Sequence, residues 1–254
     1  MPNKRKKRRR RGGAGRLLRP LSVILAAVAV VAALTLFFKV ETIEVTGIGR
    51  YSAEEIIAAS EVEIGDNLVL LDRYRTAQKI YTALPYITNV RPKPKFPNSL
   101  EIEVVETQAA AAIHGPSGYW LLSSSGKILE EISETAAADY LQITGIQAEN
   151  PEVSSPLVLP EDSPVTAERL NALLTALTDH DALARSDGID CSDSRKLVLH
   201  YDGRFQVEMF YDADFDFKVT CMLAAIERLE PNETGILRMT MADDYEVHLI
   251  QPQE

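Results

Sequence analysis

Ser124 and Lys127 stand at the S-x-x-K spacing, in which a lysine activates a serine nucleophile for acyl transfer. That chemistry also needs S-x-N and K-T-G elements, and neither occurs in the chain. Gly126 moreover places these serines in a hairpin turn, where nothing fixes a nucleophile. Gly47-x-Gly49 begins like a dinucleotide-binding turn, but Ser52 occupies the place of the third glycine. Asp212, Asp214 and Asp216 open like a calcium loop; its sixth position is then Phe217 and its twelfth Leu223, where Gly and Glu are required. Three acids at a helix start instead complement the positive end of the helix dipole. His114, His180, His200 and His248 are too far apart for a metal-ligand spacing, and no G-x-S-x-G is present. The reading is a chain with no catalytic residues, no cofactor, no metal and no small-molecule substrate.

The elements behind these residues are set first by charge and hydropathy. The net charge of -10 conceals an asymmetry: positions 1–19 hold ten Lys and Arg and no acid, leaving 17 basic against 37 acidic residues in the remainder. An acidic body repels nucleic acid and anionic lipid, so no nucleic-acid partner is expected for it. Leu21 to Phe38 is an 18-residue run without a charge, and at about 1.5 Å per residue a helix of that length spans ~27 Å, close to a hydrocarbon core. A cleavable signal peptide would be shorter and end in small residues, whereas Leu36, Phe37 and Phe38 are bulky. The run Lys4 to Arg11 could serve as a nucleic-acid patch, but beside a membrane span its topological role is simpler. The expected arrangement is a single-pass type II protein, with a basic cytoplasmic tail at 1–20, a transmembrane helix at 21–38 and an extracytoplasmic body. Cys191 and Cys221 are too few for a disulfide framework, and both one bridge and two free thiols remain open.

Within the body, residues 39–108 and 109–251 read as two modules. Val40 to Thr46 alternates as a strand; Ser52 and Glu55 form a capping box; Ala77, Ile80, Tyr81 and Leu84 keep helical spacing after Asp72. Two strands follow. Leu100 to Glu106 alternates cleanly, while Pro92 and Pro94 push its predecessor to a sheet edge because proline cannot donate to a ladder. In the second module, strand signals at Tyr119 to Leu122, Lys127 to Leu129 and Leu141 to Gly145 precede a helix started by Ser163 and Pro164, with stripe Leu170, Leu173, Leu174 and Leu177. Leu197 to Tyr201 and Phe205 to Tyr211 flank Asp202-Gly203, a strong hairpin signal. A helix through Val219, Met222, Leu223, Ile226 and Leu229 then leads to strands at Ile236 to Met241 and Tyr245 to Ile250.

This order, β-α-α-β-β after an apolar anchor and then a β-rich module, resembles a POTRA domain followed by the β domain of the bacterial cell-division FtsQ/DivIB family. The sharpest part is L-P-x-I followed by F-P-N-S-L-x-I-x-V-x-E at residues 84–106. Thr107, Gln108 and Ala109 depart from the Arg, Pro and Ala that many relatives carry next. The resemblance implies an α+β fold and a non-enzymatic assembly role at the division septum, outside the cytoplasmic membrane, with FtsL and FtsB/DivIC-type proteins as partners. The last strand has no later partner in sequence and is a natural sheet edge for strand addition. On that resemblance the partner-binding residues are Tyr245, Glu246, Val247, His248, Leu249 and Ile250. A membrane-anchored extracytoplasmic sensor, or a POTRA component of an envelope-transport system, are the rival readings.

Overall fold

The computed structural model describes residues 23–32, 37–239 and 248–250. The basic tail, and Tyr245, Glu246 and Val247 of the expected last strand, lie outside them. Of the apolar run, residues 23–32 are helical and exposed, and among the described residues no helix is long and apolar enough to cross a membrane.

The body is α+β. Strand β1 (Thr42–Thr46) is followed by helices α1 (Ala53–Ser60) and α2 (Arg73–Ala83), then by β2 (Ile87–Lys95) and β3 (Ser99–Glu106). Helix α1 starts as its sequence dictates: Ser52 Oγ accepts from Glu55 N, and the Glu55 carboxylate accepts from Ser52 N. Asp72 caps α2 by accepting from Arg75 N. The three strands order as β1-β3-β2, so the proline-bearing β2 is indeed an edge. Ile56, Ile80, Leu100, Ile102 and Val104 fill the core between helices and sheet. The fully buried residues of α2 are Thr76 and Ile80, so its inward stripe includes a threonine, whose hydroxyl donates to Asp72 O at 3.0 Å.

The remaining strands form one nine-stranded sheet, ordered β12-β11-β10-β9-β8-β7-β4-β5-β6. These are β4 (Ala109–His114), β5 (Tyr119–Ser123), β6 (Ile128–Ile132), β7 (Gln142–Thr144), β8 (Ser186–Asp190), β9 (Lys196–Tyr201), β10 (Phe205–Phe210), β11 (Gly235–Met239) and β12 (His248–Ile250). Five of its eight junctions are antiparallel, and three are parallel. A short helix α3 (Glu134–Ala137) follows β6, and α4 (Ala167–Asp179) and α5 (Phe215–Ile226) cover one sheet face. Leu170, Leu173, Leu174 and Leu177 of α4 are fully buried, each contributing about 2 kcal/mol relative to exposure. That helix starts at Ala167 rather than at Ser163-Pro164, because the Thr166 hydroxyl accepts from Arg169 N and closes the first turn there. Asp214 caps α5 by accepting from Phe217 N, so the acids at 212–216 serve a helix start. His180 Nε2 lies 2.8 Å from Asp216 Oδ1 at the same corner. Cys191 and Cys221 are both free thiols, and burial pushes that of Cys191 up to about 12.

The β9–β10 hairpin turns through Asp202 and Gly203 at φ 59° and 63°, both in the left-handed region that a type I′ turn demands. The Asp202 carboxylate is clasped by Arg185 and Arg204, each 2.8 Å away, and those hydrogen bonds hold it down at about 2 from an ordinary 3.8. Its contribution to stability is therefore complete above pH 3.8 and lost as pH falls toward 2. Asp202→Asn keeps the turn preference without the charge. Acid titration followed by circular dichroism should show the wild type losing stability across that interval and the variant showing a shallower decline.

Candidate functional site

Two places in the fold gather groups that a folded body does not need for its own core: the terminal strand and the joint between the two sheets. At the terminus, β12 pairs antiparallel with β11 through Ile236↔Ile250, Leu237↔Leu249 and Arg238↔His248, and it is the last strand of the order. Leu249 packs against the main core while Ile250 is exposed. Gly235 makes this seam possible. Its φ is 151°, and a Cβ there would sit 2.5 Å from Ile250 O. Beneath the edge runs a charged row, one residue per strand: Lys196 Nζ of β9 lies 2.6 Å from Glu208 Oε1, and Arg238 Nε of β11 lies 3.0 Å from Glu208 Oε2. Burial pushes the Glu208 carboxyl up, but the two cations outweigh it and the group sits below its usual range. Arg238, the outermost member of this row among the described side chains, pairs in the backbone register with His248 of β12. Of the six residues expected to bind a partner, His248, Leu249 and Ile250 are thus in the edge strand.

The joint was not foreseen from sequence. Lys127, the residue of the S-x-x-K pair, is 2 % exposed, and its ammonium donates to Tyr81 O at 2.9 Å and Ile87 O at 2.8 Å while lying 3.5 Å over the Tyr81 ring. A lysine immediately before β6 therefore caps the last turn of α2, a helix of the other module, at the negative end of its dipole. Burial pushes its amine down to about 8. Ser124 turns elsewhere, its carbonyl accepting from Thr175 Oγ1 of α4 at 3.1 Å. Nearby, the Arg50 guanidinium lies 3.8 Å over the Tyr86 ring and 3.8 Å from Glu130 Oε1, and the Tyr86 hydroxyl donates to the same carboxylate. Burial, followed by that carboxylate, raises the Tyr86 phenol. The loop of Gly47-x-Gly49 has its own anion: the amides of Gly49, Arg50 and Tyr51 donate to the Glu106 carboxylate at 3.1, 2.6 and 3.2 Å. Burial pushes that carboxyl up, yet the three amides and Arg50 hold it below its usual range. An apolar layer of Tyr86, Ala112, Leu121, Leu129 and Ala137 seals the joint from the second side of the nine-stranded sheet.

Among the described residues, neither place assembles a nucleophile with a base. The terminal strand instead presents backbone groups at a sheet edge, and the joint ties the two sheets together.

Residues 38–107 match the family described as POTRA domain, FtsQ-type. Across a longer stretch the chain is 24% identical over 167 residues to the cell division protein DivIB of Clostridium acetobutylicum, covering 65% of this chain and 64% of that one. It is 32% identical over 117 residues to the cell division protein FtsQ of Geotalea daltonii, 46% of this chain and 42% of the relative. Against the FtsQ of Corynebacterium glutamicum it is 29% identical over 131 residues, 52% and 58% of the two chains. The chain thus spans less than two thirds of the length of each of these relatives. Its first module thus matches a POTRA domain of FtsQ type, and over longer stretches the chain is similar to cell-division proteins named FtsQ and DivIB.

Proposed function

We propose that this chain is a non-catalytic assembly protein of the division machinery, anchored in the cytoplasmic membrane by residues 21–38, with residues 39–108 and 109–251 outside. The module at 109–251 binds division proteins of FtsL and FtsB/DivIC type and so couples them to septal wall synthesis. Tyr245 to Ile250 receive the partner by strand addition. The observation that supports this reading is β12, a three-residue strand that ends a nine-stranded sheet and is paired on one side among the described residues. An incoming strand completes the ladder and shields Ile250, with side chains at alternate positions supplying selectivity. The acidic body favours a partner segment with basic flanks, which raises encounter rates at low salt.

Ile250→Pro removes one backbone donor and resists the extended pairing, while Leu249→Asp puts a charge against the core. Losing two or three edge hydrogen bonds at about 1 kcal/mol each should weaken the complex by roughly 30-fold or more. Co-purification of the full-length chain in detergent with FtsL and DivIC-type proteins, quantified by titration, measures this. Undiminished binding by both variants removes the edge assignment, and absence of binding by the wild type removes the partner reading.

A further inference from the structure

The end of the first module opposite the joint carries apolar side chains that its core does not use. Three segments meet there. Residues 37–40 pair with the loop before α2, through Leu68 N to Phe38 O at 2.9 Å, Val40 N to Asp66 O at 2.8 Å and Gly65 N to Val40 O at 2.8 Å. The β2–β3 turn arrives from the other side, with Glu41 N donating to Asn98 O at 2.8 Å and the Phe96 ring edge-on to Phe38 at 5.2 Å. On these segments Phe37, Ile64, Val69, Leu70 and Phe96 are exposed, from 48 % at Val69 to 73 % at Leu70. Single exposed apolar residues are ordinary, but five converging at one tip form a patch that calls for cover.

Chain continuity identifies the cover. Phe37 and Phe38 are the last two residues of the uncharged 18-residue run, so the patch surrounds the point where that run enters the folded body. We infer that this tip docks on the outer leaflet of the bilayer, with Phe37, Ile64, Val69, Leu70 and Phe96 seated at headgroup depth. The inference rests on reading residues 21–38 as the membrane anchor. Aromatic rings flanking a span settle at the interface, and an apolar face rests about 5–10 Å into the headgroup and acyl boundary. The exposed charges around the patch are of both signs, Lys39 and Arg73 with Glu41, Glu63 and Asp66. Apolar contact rather than net charge therefore holds the tip, and a zwitterionic lipid suffices.

The test uses the full chain with Cys191→Ala and Cys221→Ala, carrying Leu70→Cys or, as reference, Glu227→Cys on the exposed end of α5, each labelled with an environment-sensitive fluorophore. Both are reconstituted in phosphatidylcholine vesicles containing lipid with a nitroxide just below the carbonyl groups. The probe at position 70 should be blue-shifted and quenched at least about twofold more than that at 227, as expected for a group at the acyl boundary. Equal quenching at the two positions overturns the docking while leaving the anchor in place. A blue shift without nitroxide quenching also overturns it, since protein rather than lipid then covers the tip. Failure of the chain to float with the vesicles, measured on the same samples, defeats the anchor reading itself.

Discussion

Lys127→Ala is expected to lower the unfolding free energy by about 3 kcal/mol, because two hydrogen bonds from a charged donor disappear and two buried carbonyls, of Tyr81 and Ile87, lose their partner. Lys127→Met leaves the same two carbonyls unpartnered but should cost about 1 kcal/mol less than Ala, since its stem still fills the space over the Tyr81 ring. Urea midpoints of the three proteins provide the comparison. The pH dependence adds a separate signature. Burial sets the folded amine at about 8 against an ordinary 10.5, so between those values the unfolded chain holds a proton that the folded chain has released. Stability of the wild type should accordingly rise as pH climbs from 8 toward 10.5, and the desolvation cost is felt in full below 8. A neutral amine still has two N–H groups, enough for both carbonyls, so the bonds survive the titration. With Met at position 127 this rise disappears. A lysine that merely decorated the surface would leave both the midpoint and the slope unmoved.

Gly235→Ala is the second large effect, and it acts on the edge strand alone. The new methyl group meets Ile250 O at 2.5 Å and the Leu249 side chain at 3.1 Å, at a φ of 151° that residues with a side chain rarely adopt. Strain of this kind costs about 1–3 kcal/mol. The seam with β12 pairs three residues, and at about 1 kcal/mol per hydrogen bond it is of the same size. Gly235 also pairs with Phe205 in the five-residue ladder to β10, which is longer and carries the Glu208–Arg238 contact. The shorter ladder yields first. Amide exchange at Leu249 and Ile250 should rise toward the rate of an open chain, with the amides of β9 and β10 keeping their protection. If strand addition at this edge binds the partners, affinity falls in parallel by roughly 30-fold or more. Intact protection at Leu249 would show that the methyl group is accommodated.

What could be read from the sequence was what local chemistry decides. Ser52 with Glu55, Asp72 and Asp202-Gly203 each state their conformation within four residues, and Pro92 and Pro94 announce an edge without reference to the partner strand. Strands β4 and β8 were missed for the opposite reason. Ala109–His114 is buried on both faces, Ala111 and Ile113 in the main core and Ala112 in the joint, so it lacks alternation and is rich in a residue of low strand preference. Ser186–Asp190 is polar and contains Gly188; its state is imposed by β7 and β9 on either side. Ser163-Pro164 was a sound helix start in isolation, and Thr166 competed successfully three residues later. The joint is the clearest case. Arg50, Tyr86, Glu106 and the Lys127–Glu130 segment come from four separated places in the chain, and no periodicity links them. Of the expected edge residues, those that are described, His248 to Ile250, fall in a strand, as their alternation had indicated locally.

The order of the nine strands also fixes a reach. Strand β6 is bound to the first module at the joint, and β12 lies eight strand spacings away across the sheet, or roughly 38 Å at about 4.8 Å per spacing. Each step also rotates by about 20–25°, so the outer margin is turned through nearly half a revolution relative to the joint. If strand addition at β12 holds a partner as proposed, that partner is carried at this distance and bearing from the joint rather than beside it.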